Sequence, residues 1–334
     1  MPLVGGASVK LPRRRFLRLA AAGVGALPVA SGIASALDYP TRPVHLIVGF
    51  PPGGVTDITA RLIGPALAQR LGQQFVVENR PGASSNIATE LVAKAKPDGY
   101  TLLIVSDVNV WNTAIYDHLN FDFFSDIVPV ATICHDGFVM VVNPSVPAKT
   151  ISEFIAYAKA NSGKVNMATS GSGSGSDLYG QLFKLKAAVD LTTVHYRGVG
   201  QALPDLLAGR VQVIFLPVAT AIGPLNAGTL RALGVTEGRR MSVLPDVPAI
   251  AEFLPGYEGE GWVGIGAPAH TAPEVIAGIN AQVNAALDDQ KFKARLAELG
   301  GEPFAASPAA FGNFLTDYAA QWIPVIRAAN IKPE

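Results

Sequence analysis

The sequence contains a single cysteine, Cys134, among its 334 residues. One cysteine permits neither an internal disulfide nor a cysteine-based metal cluster. We expect Cys134 to be a buried thiol that packs as a small hydrophobic side chain. Charged residues are also scarce, at 16% of the chain, while 49% of it is hydrophobic. A chain of this length and composition can bury a large core and is expected to divide into about two domains.

Basic residues are few outside the N-terminus. Lys and Arg number 26, as do Asp and Glu, but five of the basic residues precede position 37, where no acidic residue occurs. The rest of the chain carries 21 basic and 26 acidic residues, which is a net charge of −5. Such a surface does not attract nucleic acid, and no basic cluster is interleaved with aromatic residues. We therefore exclude nucleic acid as a partner.

The first 36 residues have the pattern of an export signal. The basic run Arg13–Arg15 is followed by an apolar stretch that glycine and proline interrupt, and Ala34-Ser35-Ala36 forms a small-x-small cleavage site. With Phe16 and Leu17, the arginines also fit a twin-arginine signal, so the twin-arginine and general secretory routes both stay open. A retained membrane helix is the alternative, although the apolar part is barely long enough. The pattern predicts a mature chain that starts near Leu37 and works outside the cytoplasm.

Short runs rich in Val and Ile alternate with helical periods, which is typical of an α/β fold with parallel sheets. The runs occupy residues 44–50, 74–79, 101–106, 138–143, 164–170, 192–196, 211–217 and 230–236. Their order predicts two halves of similar build that face each other across a cleft, followed by a helical tail. Because the tail has amphipathic faces but no strands of its own, we assign it to the first domain. The expected domains are 37–140 plus 262–334, and 141–261.

Three loops rich in Gly, Pro or Ser each follow a predicted strand and precede a helix. In the first, "GFPPGGVTDITARL" (49–62), Gly53 and Gly54 allow a ligand to approach the main chain, and the two prolines fix the path. Backbone N–H groups and the helix dipole favour an anion at such a position. The second loop is "NRPGASSNIATE" (79–90) and the third is "TSGSGSGSDLYG" (169–180). The alternatives are a tight strand-to-helix turn for the first loop and a flexible surface linker for the third.

Motifs of catalysis and cofactor binding are incomplete. Gly171-x-Gly173 is followed at the sixth place by Ser176, so the dinucleotide fingerprint is broken, and no phosphate-loop lysine follows. No serine of this loop has the flanking glycines of a nucleophile elbow. No metal-ligand spacing occurs among His45, His118, His135, His195 and His270. We therefore expect no catalytic residue, no metal and no cofactor, and these residues favour a binding protein over an enzyme.

Several of these stretches together resemble the periplasmic solute-binding proteins of the tripartite tricarboxylate transporter group, the Bug or TctC-like family. The stretches are "YPTRPVHLIVGFPPGGVTDITARL", "NMATSGSGSGSDLYGQLFK", "VHYRGVGQALPDLLAGRVQVIF", "LRALGVTEGRRMSVLPDVPAIAEFLPGYE" and "WVGIGAPAHTAPEVI". The resemblance covers nearly the whole chain after the signal. It implies a two-domain, periplasmic-binding-protein-like α/β fold whose interdomain cleft holds a small carboxylate.

The resemblance also implies a set of ligand-binding residues, taken position by position. They are Phe50, Pro51, Gly53, Gly54 and Asp57 in the first loop, Ala83, Ser84 and Ser85 in the second, Ser106 after the third strand, Ser170, Gly173, Ser174 and Ser176 in the hydroxyl-rich loop, and Tyr196, Arg197 and Gly198 beyond it. Two residues depart from the family pattern. Asp107 and Trp111 occupy a loop that is usually small and polar in the family, and Trp111 fits either the ligand site or the core.

Three functions remain open at this point. The leading one is a periplasmic, monomeric binding protein that captures a small carboxylate and delivers it to the membrane subunits of a tripartite tricarboxylate-type transporter. The same site could instead report to a sensor protein. A periplasmic hydrolase is the third reading, against which the missing nucleophile–base pair argues.

We predict that residues 1–36 are removed on export, because the basic run and the cleavage site lie within them. N-terminal sequencing of the protein recovered from the periplasm should begin near Leu37. A mature form that still carries Arg13–Arg15 would contradict this prediction.

Overall fold

The computed structural model describes residues 39–333, so the expected export signal lies outside the described residues. The strands are β1 (Val44–Val48), β2 (Phe75–Asn79), β3 (Thr101–Ser106), β4 (Ile127–Asp136), β5 (Phe138–Val142), β6 (Asn166–Thr169), β7 (Thr192–His195), β8 (Val213–Pro217), β9 (Arg231–Val235), β10 (Gly261–Pro268) and β11 (Gly301–Pro303). The helices are α1 (Val55–Leu71), α2 (Asn86–Ala93), α3 (Asp107–Ile115), α4 (Phe123–Asp126), α5 (Ile151–Ala160), α6 (Gly175–Ala187), α7 (Val199–Leu207), α8 (Val218–Asn226), α9 (Pro273–Leu287), α10 (Gln290–Glu298) and α11 (Pro308–Ala328). None of the helices in this range is both long and apolar enough to cross a membrane.

The strands form two mixed sheets. The first has six strands in the order β11-β4-β10-β3-β1-β2, and the second has five in the order β7-β6-β8-β5-β9. Strands β1, β2 and β3 are parallel, as are β6, β7 and β8, while β5, β9, β10 and β11 pair antiparallel with their neighbours. The mixed α/β fold expected from the alternating pattern is therefore confirmed.

The chain passes between the two sheets twice. The first passage is the single residue Gly137, which separates β4 of the six-stranded sheet from β5 of the five-stranded sheet. A Cβ atom on Gly137 would lie 2.1 Å from the Met241 side chain and 2.8 Å from Glu237 Oε1, so a larger residue would require these side-chain ends to shift. The second passage is the segment between β9 and β10, residues 236–260.

Each sheet is covered by helices on both faces, and side chains alternate accordingly. In β1, Val44, Leu46 and Val48 pack in one buried cluster with α1, α9 and α10, while Ile47 belongs to another with α2, α3 and α11. In β5, Val139 and Val141 pack with α7 and α8, whereas Met140 and Val142 pack with α5 and α6. The clusters of Ile47 and Met140 are one continuous core that joins the two sheets.

All eight apolar runs identified in the sequence form strands, but three further strands escape that pattern: β4, β10 and β11. The tail after residue 272 is not purely helical, since β11 adds an edge strand to the six-stranded sheet. Strand β10 carries Gly264, where a Cβ would lie 2.8 Å from both Phe311 of α11 and the carbonyl oxygen of Ala131. Glycine is therefore required for close helix packing there, and it weakens the strand signal.

Aromatic side chains from three helices meet where the two halves join. Trp111 of α3 lies with its ring centroid 5.8 Å from Tyr179 of α6, 5.4 Å from Trp322 of α11 and 6.3 Å from Tyr318 of α11. Trp111 has no exposed surface, so it is a core residue and the packing interpretation is correct. Buried aromatic pairs of this kind each add about 0.5–1.5 kcal/mol beyond the burial of their area.

The turn at Ala83–Ser85 has left-handed backbone at three successive residues that are not glycine. Their φ angles are 45°, 50° and 76°. Polar side chains hold the turn in place: Asn112 Nδ2 donates to the carbonyl oxygen of Ser84 at 2.6 Å, and Thr89 Oγ1 donates to that of Ser85 at 3.0 Å. Left-handed backbone costs an L-residue roughly 1–2 kcal/mol, so this segment is strained.

We predict that Ser84→Gly stabilises the protein by about 0.5–1 kcal/mol, because relief of the strain exceeds the added entropy of the unfolded chain. Urea unfolding should show a higher midpoint. Ser85→Gly is the matched control: it relieves the same strain but removes a buried hydroxyl that accepts from Asn109 Nδ2, so it should bring no gain. A lower midpoint for Ser84→Gly would contradict this account.

Candidate functional site

A cavity of about 570 Å³ is lined by residues from both sheets. Its wall includes Ser106, Asp136 and Trp262 from strands of the six-stranded sheet. Phe138 and Pro217 line it from strands of the five-stranded sheet. The volume falls in the range of small-molecule sites, which is roughly 300–1,000 Å³.

Five helices begin at this cavity. The first residues or N-caps of α1, α3, α6, α7 and α8 line its wall: Gly54, Ser106, Ser174, Gly198 and Pro217. In four of the five helices, α1, α3, α7 and α8, the N-cap side chain makes no cap hydrogen bond at this end. The free N–H groups and the positive end of each helix dipole make such termini anion sites, and each favourable contact is worth about 0.3–1 kcal/mol.

The two principal loops have the same geometry although they belong to different sheets. In "GGVTD" the amide of Gly53 donates to Asp57 Oδ2 at 2.9 Å, and in "GSGSD" the amide of Gly173 donates to Asp177 Oδ2 at 3.0 Å. Both glycines have positive φ, 88° and 71°. The residues that follow, Gly54 and Ser174, are extended N-caps with nearly identical angles. The aspartates thus tie each loop back onto its own helix.

Asp57 is a support for the first loop and does not line the cavity. It is 2% exposed, and its Oδ1 accepts from Asn79 Nδ2 at 2.8 Å and from Arg61 Nε at 3.1 Å. Desolvation raises the pKa of this carboxyl, but the hydrogen bonds from Arg61, Gly53 and Asn79 outweigh it and hold the pKa below its usual range. Asp57 is therefore ionised at neutral pH.

Half of the residues implied by the resemblance line the cavity. These are Phe50, Pro51, Gly53, Gly54, Ser106, Ser170, Ser174 and Gly198. The rest lie outside its wall: Asp57, Ala83, Ser84, Ser85, Gly173, Ser176, Tyr196 and Arg197.

Contacts within the protein explain several of the residues outside the wall. Ser176 Oγ lies 2.8 Å from both the amide and the hydroxyl of Ser170, so it positions a lining residue. Tyr196 donates its hydroxyl to Asp205 Oδ2 at 2.8 Å. Residues 83–85 form the strained turn described above.

Sequence reasoning missed several lining residues, among them Asp136, Phe138, Pro217 and Trp262. Asp136 and Phe138 flank the passage at Gly137. Because β4 is not among the predicted apolar runs, that pattern does not indicate a change of sheets there. A signal was nevertheless present, because "CHDGF" places charged and glycine residues between two buried strands.

Two aspartates, Asp107 and Asp136, line the cavity, and burial disfavours the ionised form of both. Desolvation raises the pKa of Asp107 to about 7, although the Val108 amide and the Tyr179 hydroxyl donate to it at 2.8 and 3.1 Å. Desolvation, with the nearby charge of Asp107, raises the pKa of Asp136 to about 8. Within residues 39–333 no group of three His, Cys, Asp or Glu side chains is arranged to hold a metal ion.

Comparison with known proteins identifies relatives over most of the chain. Residues 59–331 match the family described as tripartite tricarboxylate transporter family receptor. Protein BugT of Bordetella pertussis is 33% identical over 315 residues, which is 92% of this chain and 97% of that protein.

Two solved structures extend the comparison to the fold. R. palustris Rpa4515 with adipate has a TM-score of 0.79 and 36% identity, covering 89% of this chain and all of that one. The structure of the periplasmic binding protein BugD has a TM-score of 0.75 and 30% identity, and the match covers 88% of this chain and all of that one. The resemblance found in the sequence motifs is therefore confirmed.

The raised pKa values predict how stability depends on pH. Unfolded aspartate titrates near pH 3.9, so between about pH 4 and 8 the folded state binds more protons and its free energy of unfolding falls as pH rises. Asp136→Asn removes the part of this decrease in the free energy of unfolding that comes from Asp136. The variant should be close to the parent at pH 4 and increasingly more stable toward pH 8.

Urea or thermal unfolding at several pH values measures this difference. The exposed Asp317→Asn is the matched control and should run parallel to the parent. A stability difference for Asp136→Asn that does not change with pH would contradict the assignment.

Proposed function

The chain belongs to the tripartite tricarboxylate transporter receptor family, and we propose that it captures a small organic carboxylate in the cavity between its two sheets. Members of this family are solute-binding receptors, so the chain is a binding protein and not an enzyme. Its homologues are periplasmic binding proteins. In our proposal the mature protein works in the periplasm and presents its ligand to the membrane subunits of a transporter of this type.

The convergence of five helix N-termini on one cavity carries the proposal. A carboxylate needs hydrogen-bond donors and positive potential, and backbone amides at helix starts supply both. Among the described residues that line the cavity there is no Lys, Arg or His, so the main chain and hydroxyls must provide this recognition. The adipate bound by Rpa4515 supports a linear dicarboxylate as one candidate ligand class.

The ligand is proposed to bridge two domains, 37–140 plus 262–334 and 141–261. Strands β10 and β11 lie in the six-stranded sheet, which supports assignment of the C-terminal segment to the first domain. Gly53 and Gly54 approach the ligand from that domain, while Ser170 and Ser174 approach it from the other. Closure around the ligand would then satisfy carboxylate oxygens from both sides at once.

Gly54→Val tests this arrangement, because it adds bulk at the cavity without a steric clash of the added Cβ in the ligand-free protein. A Cβ on Gly54 would have only the Pro51 carbonyl oxygen within 4 Å, at 3.7 Å, and φ is −79°, which any residue adopts. We expect the variant to fold normally and to lose the thermal shift that adipate produces in the parent. At a hundred times its dissociation constant a ligand adds about 2.7 kcal/mol of stability, so the loss is easily measured.

Gly278→Val is the matched control, since an added Cβ on this glycine of α9 would have no neighbouring atom within 4 Å, and Gly278 does not line the cavity. It should keep the full shift. Equal binding by the parent and by Gly54→Val would refute the cavity assignment. Ser174→Ala is less useful than the sequence suggests, because Ser174 caps α6 and its loss also lowers the stability of the empty protein.

A further inference from the structure

The two principal loops of the cavity, "GGVTD" and "GSGSD", differ in what covers the glycine of positive φ. A Cβ on Gly53 would have no atom within 4 Å. On Gly173 it would lie 3.0 Å from Ile115 Cδ1 and 3.8 Å from Ile331 Cγ2. Ile115 ends α3 and Ile331 follows α11, and both helices pack on strands of the six-stranded sheet. Side chains from one sheet layer therefore cover a loop that belongs to the other sheet.

The way in which α11 ends places Ile331 over this loop. Asn330 has left-handed backbone, with φ 50°, and its amide donates to the carbonyl oxygen of Arg327 at 3.2 Å. The amide of Ile331 donates to the carbonyl oxygen of Ile326 at 3.3 Å. These are the two bonds of a Schellman motif, in which the residue after the left-handed one packs back on the helix. Ile331 is accordingly 8% exposed and shares an apolar cluster with Ile115 and Ile326.

A hydrogen bond joins the same two segments. The hydroxyl of Ser172 donates to the carbonyl oxygen of Lys332 at 2.9 Å. The glycines on both sides of Ser172 have positive φ, 124° and 71°, so the tip of the loop is intrinsically free to adopt other conformations. Ser170 and Ser174, which lie on either side of this tip, line the cavity. Contacts at the tip therefore govern where two hydroxyls of the cavity wall lie.

Helix α11 is itself fixed beside the opposite wall of the cavity. Phe311, in its first turn, packs edge-on against Trp262 of β10 with ring centroids 5.5 Å apart, and Trp262 lines the cavity. Farther along the helix, Gln321 Nε2 donates to the carbonyl oxygen of Glu258 at 2.6 Å, in the second passage between the sheets. The helix is thus anchored to one wall at its start and contacts a loop of the other wall beyond its end.

We propose that Ile331 is a positioning residue for the ligand site, which holds the loop at residues 169–175 so that Ser170 and Ser174 face the helix starts of the six-stranded sheet. This inference rests on the proposed function, because it concerns how the two walls of that cavity are aligned. Ile331 does not line the cavity and acts through Gly173. Without its contact the loop occupies other conformations part of the time, and the apparent dissociation constant rises as the binding-competent fraction falls.

Ile331→Ala tests this role because it removes the methyl group that faces Gly173. Calorimetry on the mature protein should show adipate bound roughly fivefold or more weakly than by the parent. Ile331→Val is the conservative variant, since valine keeps the Cγ2 methyl that faces Gly173 and loses only Cδ1. It should bind adipate as the parent does.

Val275→Ala is the matched control. Val275 of α9 is 6% exposed and packs against Gly99, another glycine of positive φ, as Ile331 packs against Gly173. Val275 does not line the cavity. Its truncation should lower the free energy of unfolding, because it removes buried apolar volume, and should leave the affinity for adipate unchanged.

Hydrogen exchange of the ligand-free protein measures the contact without any ligand. The amides of Gly53 and Gly173 make the same bond to the aspartate four residues later. Ile331→Ala should speed exchange at Gly173 roughly fivefold or more and leave Gly53 unchanged, because only Gly173 is covered by Ile331. A general loss of stability would speed exchange at both glycines.

The outcomes separate the two proposals. If Ile331→Ala binds adipate as the parent does, or if exchange rises equally at both glycines, the positioning role is overturned, while loss of binding in Gly54→Val still supports the cavity. If adipate binding is insensitive to Gly54→Val, the cavity assignment fails. If the parent does not bind adipate, the exchange rates alone decide: faster exchange confined to Gly173 supports the role of Ile331, and unchanged exchange overturns it.

Discussion

The cavity depends on two buried aspartates that never face it. Asp57 and Asp177 each fold back to the amide of the glycine four residues earlier, and this bond holds the loop before α1 and α6 in one conformation. The amides of Gly53 and Gly173 are therefore engaged within their own loops. Arg61 and Asn79 support Asp57, and Gln181 supports Asp177, so the loops are rigid before any ligand arrives.

Backbone recognition explains why the site contains so little conventional chemistry. Helix termini supply donors and partial positive charge without a lysine or arginine, and they lose no side-chain entropy when they bind. A guanidinium would bind a carboxylate more strongly but would also attract any anion. Five helix starts on a wall that also bears two aspartates give a site that discriminates by the whole pattern of donors and acceptors.

The two halves of the molecule are coupled through packing as well as through the cavity. The aromatic cluster of Trp111, Tyr179, Tyr318 and Trp322 joins α3, α6 and α11, and the Tyr179 hydroxyl reaches Asp107 in the cavity wall. Any movement of α6 relative to α3 must therefore alter the surroundings of that carboxyl. The chain itself passes between the sheets at Gly137, where the side-chain ends of Met241 and Glu237 pack closely against the backbone.

The sequence by itself determined the alternation of strands and helices, the glycine loops and the family, because these features depend on local periodicity, turn chemistry and contiguous motifs. It could not place Asp136 and Trp262 beside Gly54 and Ser174, since those residues come together only when β10 inserts between β3 and β4. The family resemblance also assigned Asp57 to the ligand, whereas its hydrogen bonds turn it inward to the loop. Only the tertiary structure decided which polar residues face the cavity and which support it, because side-chain direction there follows from long-range strand pairing and helix packing.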